Sequence, residues 1–251
     1  MLKFDYIVVG SGLAGLYAAW KASLKGSVAV ITKSMIRESN SFNAQGGIAA
    51  VTSFDDDPEI HKSDTLIAGR GLCEDHAVEI LVNEGPERIE EIIAEGMKFD
   101  TENGSLALGL EGGHHKRRVL HSGDITGAEL ERVMVEAVKA RPNITVLENH
   151  IAVDLVVSRR HDKSSPNRSF GAYVLDIAKN KVITFLAPAT VIACGGTGKV
   201  YLYTSNPDIA CGSGVAMGCK PSEERGQGAS STACTWQSIN IFHLIIIDFG
   251  L

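Results

Sequence analysis

Apolar residues fall into two kinds of run along the chain, and each dictates a different element. Uninterrupted runs come first: residues 6–9 read as a strand buried on both faces, and residues 27–32 as a second strand of the same kind. Between them Leu16, Ala19, Trp20 and Leu24 recur at helical spacing, which predicts an amphipathic helix. Further helices are expected over 58–68, 75–82 and 86–95, the last with Pro86 at its first position and Gly96 closing it. Thr126 and Glu129 make a capping-box pattern ahead of a helix running to about 139, with Leu130, Val133, Met134 and Ala137 on one face. Strands follow at 144–147, 151–157, 171–177, 182–186 and 190–193, and 159–169 reads as a polar hairpin loop. The order strand, helix, strand, then helices and more strands, is that of an α/β fold.

The turn after the first strand carries the chemistry. Gly10, Ser11, Gly12, Leu13, Ala14 and Gly15 spell Gly-x-Gly-x-x-Gly between a strand and a helix, where a dinucleotide-binding turn belongs. Gly10 permits the tight turn, Gly12 lets a pyrophosphate approach the backbone, and Gly15 lets helix and strand pack closely. The helix start then offers unpaired N–H groups and a positive dipole end to the phosphates. At the end of the second strand, where a carboxylate would take the adenosine ribose, the chain has Thr32, Lys33 and Ser34. That argues against a standard NAD site. Lys33 reads either as a phosphate or ribose contact by another route or as a solvated strand end.

Composition narrows the classes. Of 251 residues 44% are apolar, and 24 basic against 30 acidic side chains give a net charge of −6, without the basic field that sequence-independent nucleic-acid binding requires. Apolar runs are far shorter than a bilayer span, and Asp5 interrupts the N-terminal one, so neither a membrane helix nor a secretory signal is expected. A cytoplasmic protein is the expectation. Cys73, Cys194, Cys211, Cys219 and Cys234 are scattered without a Cys-x-x-Cys pair, which suits a reducing compartment and no zinc site.

A second glycine cluster carries a resemblance. Ala44, Gln45, Gly46, Gly47 and Ile48 follow a Ser/Asn-rich loop, and ordered matches continue through Asp64 to Gly69, Glu111 to His114, His121 to Gly127, Ala193 to Gly196 and Tyr203 to Asp208. Over about residues 5–217 the chain resembles the succinate dehydrogenase/fumarate reductase flavoprotein family. Membrane-complex members attach flavin to a His five residues before the Gln, where this chain has Asn40; with Phe42 and the Glu111-to-His114 stretch, the chain is most similar to the soluble oxidase branch. The resemblance implies a Rossmann-like FAD-binding domain with a central parallel sheet and a β-meander, incomplete at the C-terminus, and FAD held non-covalently. It implies cofactor contacts at Gly10 to Gly15, Lys33, Asn40, Ser41, Phe42, Asn43, Ala44, Gln45, Gly46, Gly47, Ala152 near the adenine, Gly195 and Ser213, the last standing where the family usually has Asp. The implied reaction is oxidation of L-aspartate to iminoaspartate with O₂ or fumarate as acceptor, serving quinolinate and NAD biosynthesis, with quinolinate synthase a candidate partner and neither nucleic acid nor membrane involved.

Glu111, His114, His115, Lys116, Arg117, Arg118 and His121 leave more than one reading open. Adjacent histidines flanked by cations lack metal-ligand spacing. An exposed basic loop is the plain reading. The resemblance instead places Glu111 at the substrate, orienting the α-ammonium of aspartate.

The resemblance stops near residue 218. Residues 1–218 are expected to be the N-terminal portion of the FAD-binding domain, and 219–251 a foreign tail from a shifted frame or false gene end, with the family's capping domain absent. Weak FAD retention and negligible turnover are expected of such a chain. A fumarate reductase or succinate dehydrogenase flavoprotein and a catalytically silent FAD-binding module are the alternatives, the first opposed by Asn40.

Overall fold

The structure is a computed structural model that describes residues 1–158 and 168–218; most of the expected hairpin loop and the whole of the expected foreign tail lie outside the described residues. In chain order the elements are β1 (Leu2–Lys3), β2 (Tyr6–Val9), α1 (Leu13–Ala22), β3 (Val28–Ile31), β4 (Ile48–Ala49), α2 (Pro58–Ala68), α3 (Asp75–Ala94), β5 (Thr101–Glu102), β6 (Ser105–Leu106), β7 (Leu108–Gly109) and β8 (Val119–Leu120). Then come α4 (Thr126–Lys139), β9 (Ile144–Leu147), β10 (His150–Val157), β11 (Ser169–Asp176), β12 (Lys181–Leu186), β13 (Ala189–Ile192) and α5 (Ser213–Gly218). The chain divides into two compact units: Met1–Ser41 together with the chain from Met134 onward, and Phe42–Val133.

The first unit holds the parallel sheet, in the order β13-β2-β3-β9. Its two central strands are apolar at every position because both faces are covered, and the pleat sends alternate residues to different partners. Val8, Val28 and Val30 pack with Ala19 of α1. Ile7, Val9, Ala29 and Ile31 face a second layer made by Ala152, Leu155, Ala172, Val174 and Phe185. That layer is the expected meander: β10, β11 and β12 pair antiparallel, and β1 adds a short parallel strand beside β12. Each Val, Leu, Ile or Phe side chain among these removed from water contributes about 1.5–3 kcal/mol, so these strands contribute heavily to the stability of the unit. On the helix side, Leu16 and Trp20 pack with Met134, Val135 and Val138 from the last turns of α4.

The second unit is built from α2, α3, the first turns of α4 and a small sheet in which β8 lies between β4 and β7, both antiparallel to it. Two expectations change here. Residues 75–82 and 86–95 form one helix, α3, with Pro86 inside it. Gly85 precedes the proline and offers no Cβ to its ring, while Val78, Val82, Ile89 and Ile92 continue one buried stripe through the break. Gly96, at φ +107°, closes the helix as expected: its N–H and that of Met97 donate to the carbonyls of Ile93 and Ile92. The capping box at Thr126 is not formed. Helix α4 begins at Thr126 itself, whose hydroxyl accepts from the Ser122 N–H at 3.1 Å, and the Glu129 carboxylate turns forward to Arg132 at 2.6–2.8 Å.

Candidate functional site

In the first unit the glycine turn packs tightly. A Cβ on Gly10, whose φ is +111°, would lie 2.0 Å from the Ala193 carbonyl oxygen, and one on Gly15 would lie 2.1 Å from the carbonyl oxygen of Gly10. Both glycines are therefore demanded by the crossing of turn, helix and β13. Gly12 is different. Its φ is −67° and a Cβ there would meet nothing nearer than the Ser41 hydroxyl at 3.4 Å, an ordinary contact. The fold alone does not need glycine at this helix cap, where Ser, Asp or Asn would be preferred.

The start of α1 fits a diphosphate. Its cap makes no side-chain hydrogen bond and its first turn carries no acid, so the dipole end is not neutralised from within the helix. The Leu13 N–H donates to the Ser41 hydroxyl at 3.3 Å, which brings residues 39–41 beside the turn. Ser11 is buried and donates to the Thr32 hydroxyl at 2.9 Å, and the Gly10 N–H donates to Ile31, so the turn is fixed to the end of β3.

From that strand end Lys33 reaches across to the loop before α5: its ammonium donates to the Ile209 carbonyl and lies 3.1 Å from the Cys211 sulfur. Its side chain is thus neither a solvated end nor free to meet a ligand without exchanging these partners. Ser213 opens α5, with its hydroxyl 3.1 Å from the same sulfur. Hydrogen bonding by Ser213 and then Lys33 pulls the Cys211 thiol below its ordinary pKa, while burial pushes Cys194 up to about 11.

Gly195 follows β13 at φ +66°, and a Cβ on it would come 3.9 Å from the Asn40 amide nitrogen. Residues 10–15, 39–41 and 193–195, far apart in sequence, therefore converge at the C-terminal ends of the parallel strands, where doubly wound sheets bind ligands. Ala152 lies on β10, the last strand of the meander order, beside an irregularity between Ala152 and Asp154; its side chain is buried, and among the described residues its strand has a neighbour on one edge only.

The remaining expected residues belong to the second unit. Phe42, Asn43, Gln45 and Gly46 are exposed, and the Ala44 carbonyl accepts from the Gly127 N–H at the start of α4. Gly47, at φ +85°, precedes β4, and a Cβ on it would strike the Leu120 carbonyl at 2.6 Å and the His121 ring at 2.8 Å. Glu111 stands 3.6 Å from the His121 ring nitrogen Nε2, its side chain 54% exposed.

Arg118 corrects the reading of a basic loop. It is fully buried, its fork spanning both oxygens of Asp56 at 2.8 Å while one nitrogen reaches Asp64 at 2.6 Å. Asp64 accepts in turn from the His115 backbone N–H and meets its ring. Burial would raise both carboxyls, but the His115 donors and the Arg118 fork hold Asp64, and the Arg118 fork holds Asp56, below the usual range. His61 is buried next to this group, its Nδ1 without a hydrogen-bond partner among the described residues and its ring 5.8 Å from that of His114. Burial, then the Arg118 charge, push His61 down to about 4. No local pattern announced this cluster: its members sit at 56, 61, 64 and 114–118, and only tertiary packing makes them neighbours. Among the described residues no group of three or more His, Cys, Asp or Glu is placed to hold a metal ion, and no helix is long and apolar enough to cross a membrane.

Among curated proteins the chain is 43% identical over 215 residues to the L-aspartate oxidase, chloroplastic, of Oryza sativa subsp. japonica, covering 85% of this chain and 33% of that protein. It is 45% identical over 227 residues to L-aspartate oxidase 1 of Ralstonia nicotianae, covering 87% and 42% respectively. The chain thus spans about a third of the length of the first relative and just over two fifths of the second. Among solved structures, E. coli quinol fumarate reductase superposes with a TM-score of 0.80 at 29% identity, over 86% of this chain and 37% of that one. Residues 5–221 match the FAD binding domain family over most of the chain, glycine turn and parallel sheet included, and the chain belongs to that family, with FAD as its cofactor.

Proposed function

We propose that the chain is the FAD-binding portion of a flavoenzyme that oxidises L-aspartate to iminoaspartate, with residues 1–218 as that portion. The carrying observation is the start of α1: a glycine cap that the fold does not require, no acid in the first turn, and Asn40 and Gly195 brought beside it. The curated relatives' names supply the substrate.

The residues divide the labour by unit. Backbone N–H groups at Gly12 to Ala14 would hold the pyrophosphate, with Leu13 giving up its Ser41 partner to do so; Lys33 would exchange its loop partners for the nucleotide, and Ala152 would meet the adenine through its backbone. Asn40 stands where the resembled family's covalent members carry their flavin-linked His and offers no nucleophilic nitrogen there, which supports FAD held non-covalently. In the second unit, Asn43 to Gly47 present backbone without bulk to a planar ring. Glu111 would accept from the substrate ammonium, which orients the α-carbon and disfavours a dicarboxylate lacking the amine. Held by these residues, FAD would supply the hydride acceptor for the α-carbon and the route for the electrons to O₂ or fumarate. A cytoplasmic place and a hand-over of the product to quinolinate synthase are part of the same reading.

The visible spectrum with FAD in excess tests it. With FAD kept at saturating concentration, since retention is expected to be weak, a bound-flavin spectrum that L-aspartate bleaches slowly and anaerobically, and that succinate does not bleach, is expected. Bleaching by succinate would point to a dehydrogenase of the fumarate reductase type. Colour that neither compound bleaches would favour a catalytically silent FAD-binding module.

A further inference from the structure

We propose that His121 is the positioning residue for Glu111, its ring seated between Gly109, whose missing side chain leaves room for it, and Gly47, which the Leu120 carbonyl and a φ of +85° already require to be glycine; this rests on Glu111 facing the substrate ammonium. β8 is paired on both sides, and His121 is the residue that follows it. Its ring lies where two missing side chains would be. A Cβ on Gly47 would stand 2.8 Å from the ring atoms Cε1 and Nδ1, and one on Gly109 2.7 Å from Nε2. Neither position tolerates even alanine with the ring in place, so the slot is shaped by both neighbouring strands. The His121 carbonyl accepts from the Asp100 N–H at 2.8 Å, which fixes the backbone below the ring.

The seated ring then points Nε2 at Glu111 Oε1, 3.6 Å away. The His121 side chain is 24% exposed and that of Glu111 54%, so the ring is wedged while the carboxylate still meets solvent. That is the disposition required of a group that must bind a solute ammonium and yet be held in one place. A glutamate on a loop otherwise samples many rotamers, and ordering it on binding weakens affinity. A side turn of a few tenths of an ångström brings Nε2–H into donating distance of one carboxylate oxygen, leaving the other for the ammonium. Because Gly47 also belongs to the segment that would face the flavin ring, the histidine sets Glu111 relative to that segment within one unit.

The test uses the full 251-residue chain with ¹⁵N-labelled histidine, read by NMR without FAD, so that it does not depend on turnover. In the first arm no ligand is present, and E111Q and G109A are each expected to shift the His121 ring signals while leaving those of His76 in place. His121 signals that E111Q leaves unmoved in a folded protein would overturn the pairing. In the second arm L-aspartate and succinate are titrated. Wild type should prefer aspartate, and H121Q should weaken aspartate binding by about tenfold, the scale of one unordered side chain, with succinate unaffected. H121F refills the slot without a nitrogen and should fold like wild type yet lose the same preference. Retention of that preference by H121F would show a purely packing role and refute the proposal. If wild type does not distinguish the two ligands, the reading of Glu111 falls, and the first arm alone then decides the pairing.

Discussion

At the scale of single residues, the second unit depends on a charge cluster that burial makes expensive to break. Replacing Arg118 by Met would leave Asp56 and Asp64 buried without their cation, a loss of about 3–5 kcal/mol, read as a lower urea midpoint. His61 gives the cluster a pH dependence of definite sign. Folded, it takes a proton only near pH 4; unfolded, near 6.5. Stability is therefore complete above about pH 6.5 and declines as pH falls toward 4, by up to about 3 kcal/mol for this one group. Asp56 and Asp64, held low, continue the loss at more acid pH. Urea titrations at pH 7.5 and 4.5 should show the drop in wild type and a smaller one in H61Q; an equal drop would remove His61 as its source. None of this was legible beforehand, since Arg118 reads as the last of three basic residues until its burial is known.

At the scale of elements, the sequence announced what has a period and hid what has none. Residues 6–9 and 28–31 are apolar at every position because both faces of the parallel sheet are covered, so strand and sheet type follow from the run itself. The two-residue strands β4 to β8 are too short to carry alternation, and they escaped notice although Gly47, Gly109 and His121 depend on them. Pro86 misled because a proline usually starts a helix, whereas here the buried stripe from Val78 to Ile92 outweighs the lost hydrogen bond. Restoring that bond should help: P86A is expected to raise the melting temperature by a few degrees, equivalent to about 1–3 kcal/mol. An unchanged or lower value would mean that the proline shapes the helix in a way the packing requires.

At the scale of the whole molecule, the dinucleotide turn was readable as chemistry, but its necessity was not. Sequence shows three glycines in a row of six; the structure separates Gly10 and Gly15, which the backbone crossings demand, from Gly12, which they do not. That residue is where fold and function can be pulled apart. Asp at position 12 would be a good helix cap and add roughly a few tenths of a kcal/mol over glycine, yet it would accept from the N–H groups of the first turn and repel a diphosphate. The most direct measurement is FAD affinity by fluorescence titration of wild type and G12D, with the melting temperature of each. Wild type should take up FAD, and G12D should remain at least as stable while binding FAD at least about tenfold more weakly. No FAD uptake by wild type at saturating concentration, or equal affinity in the folded G12D protein, would contradict the placement of the cofactor on this turn.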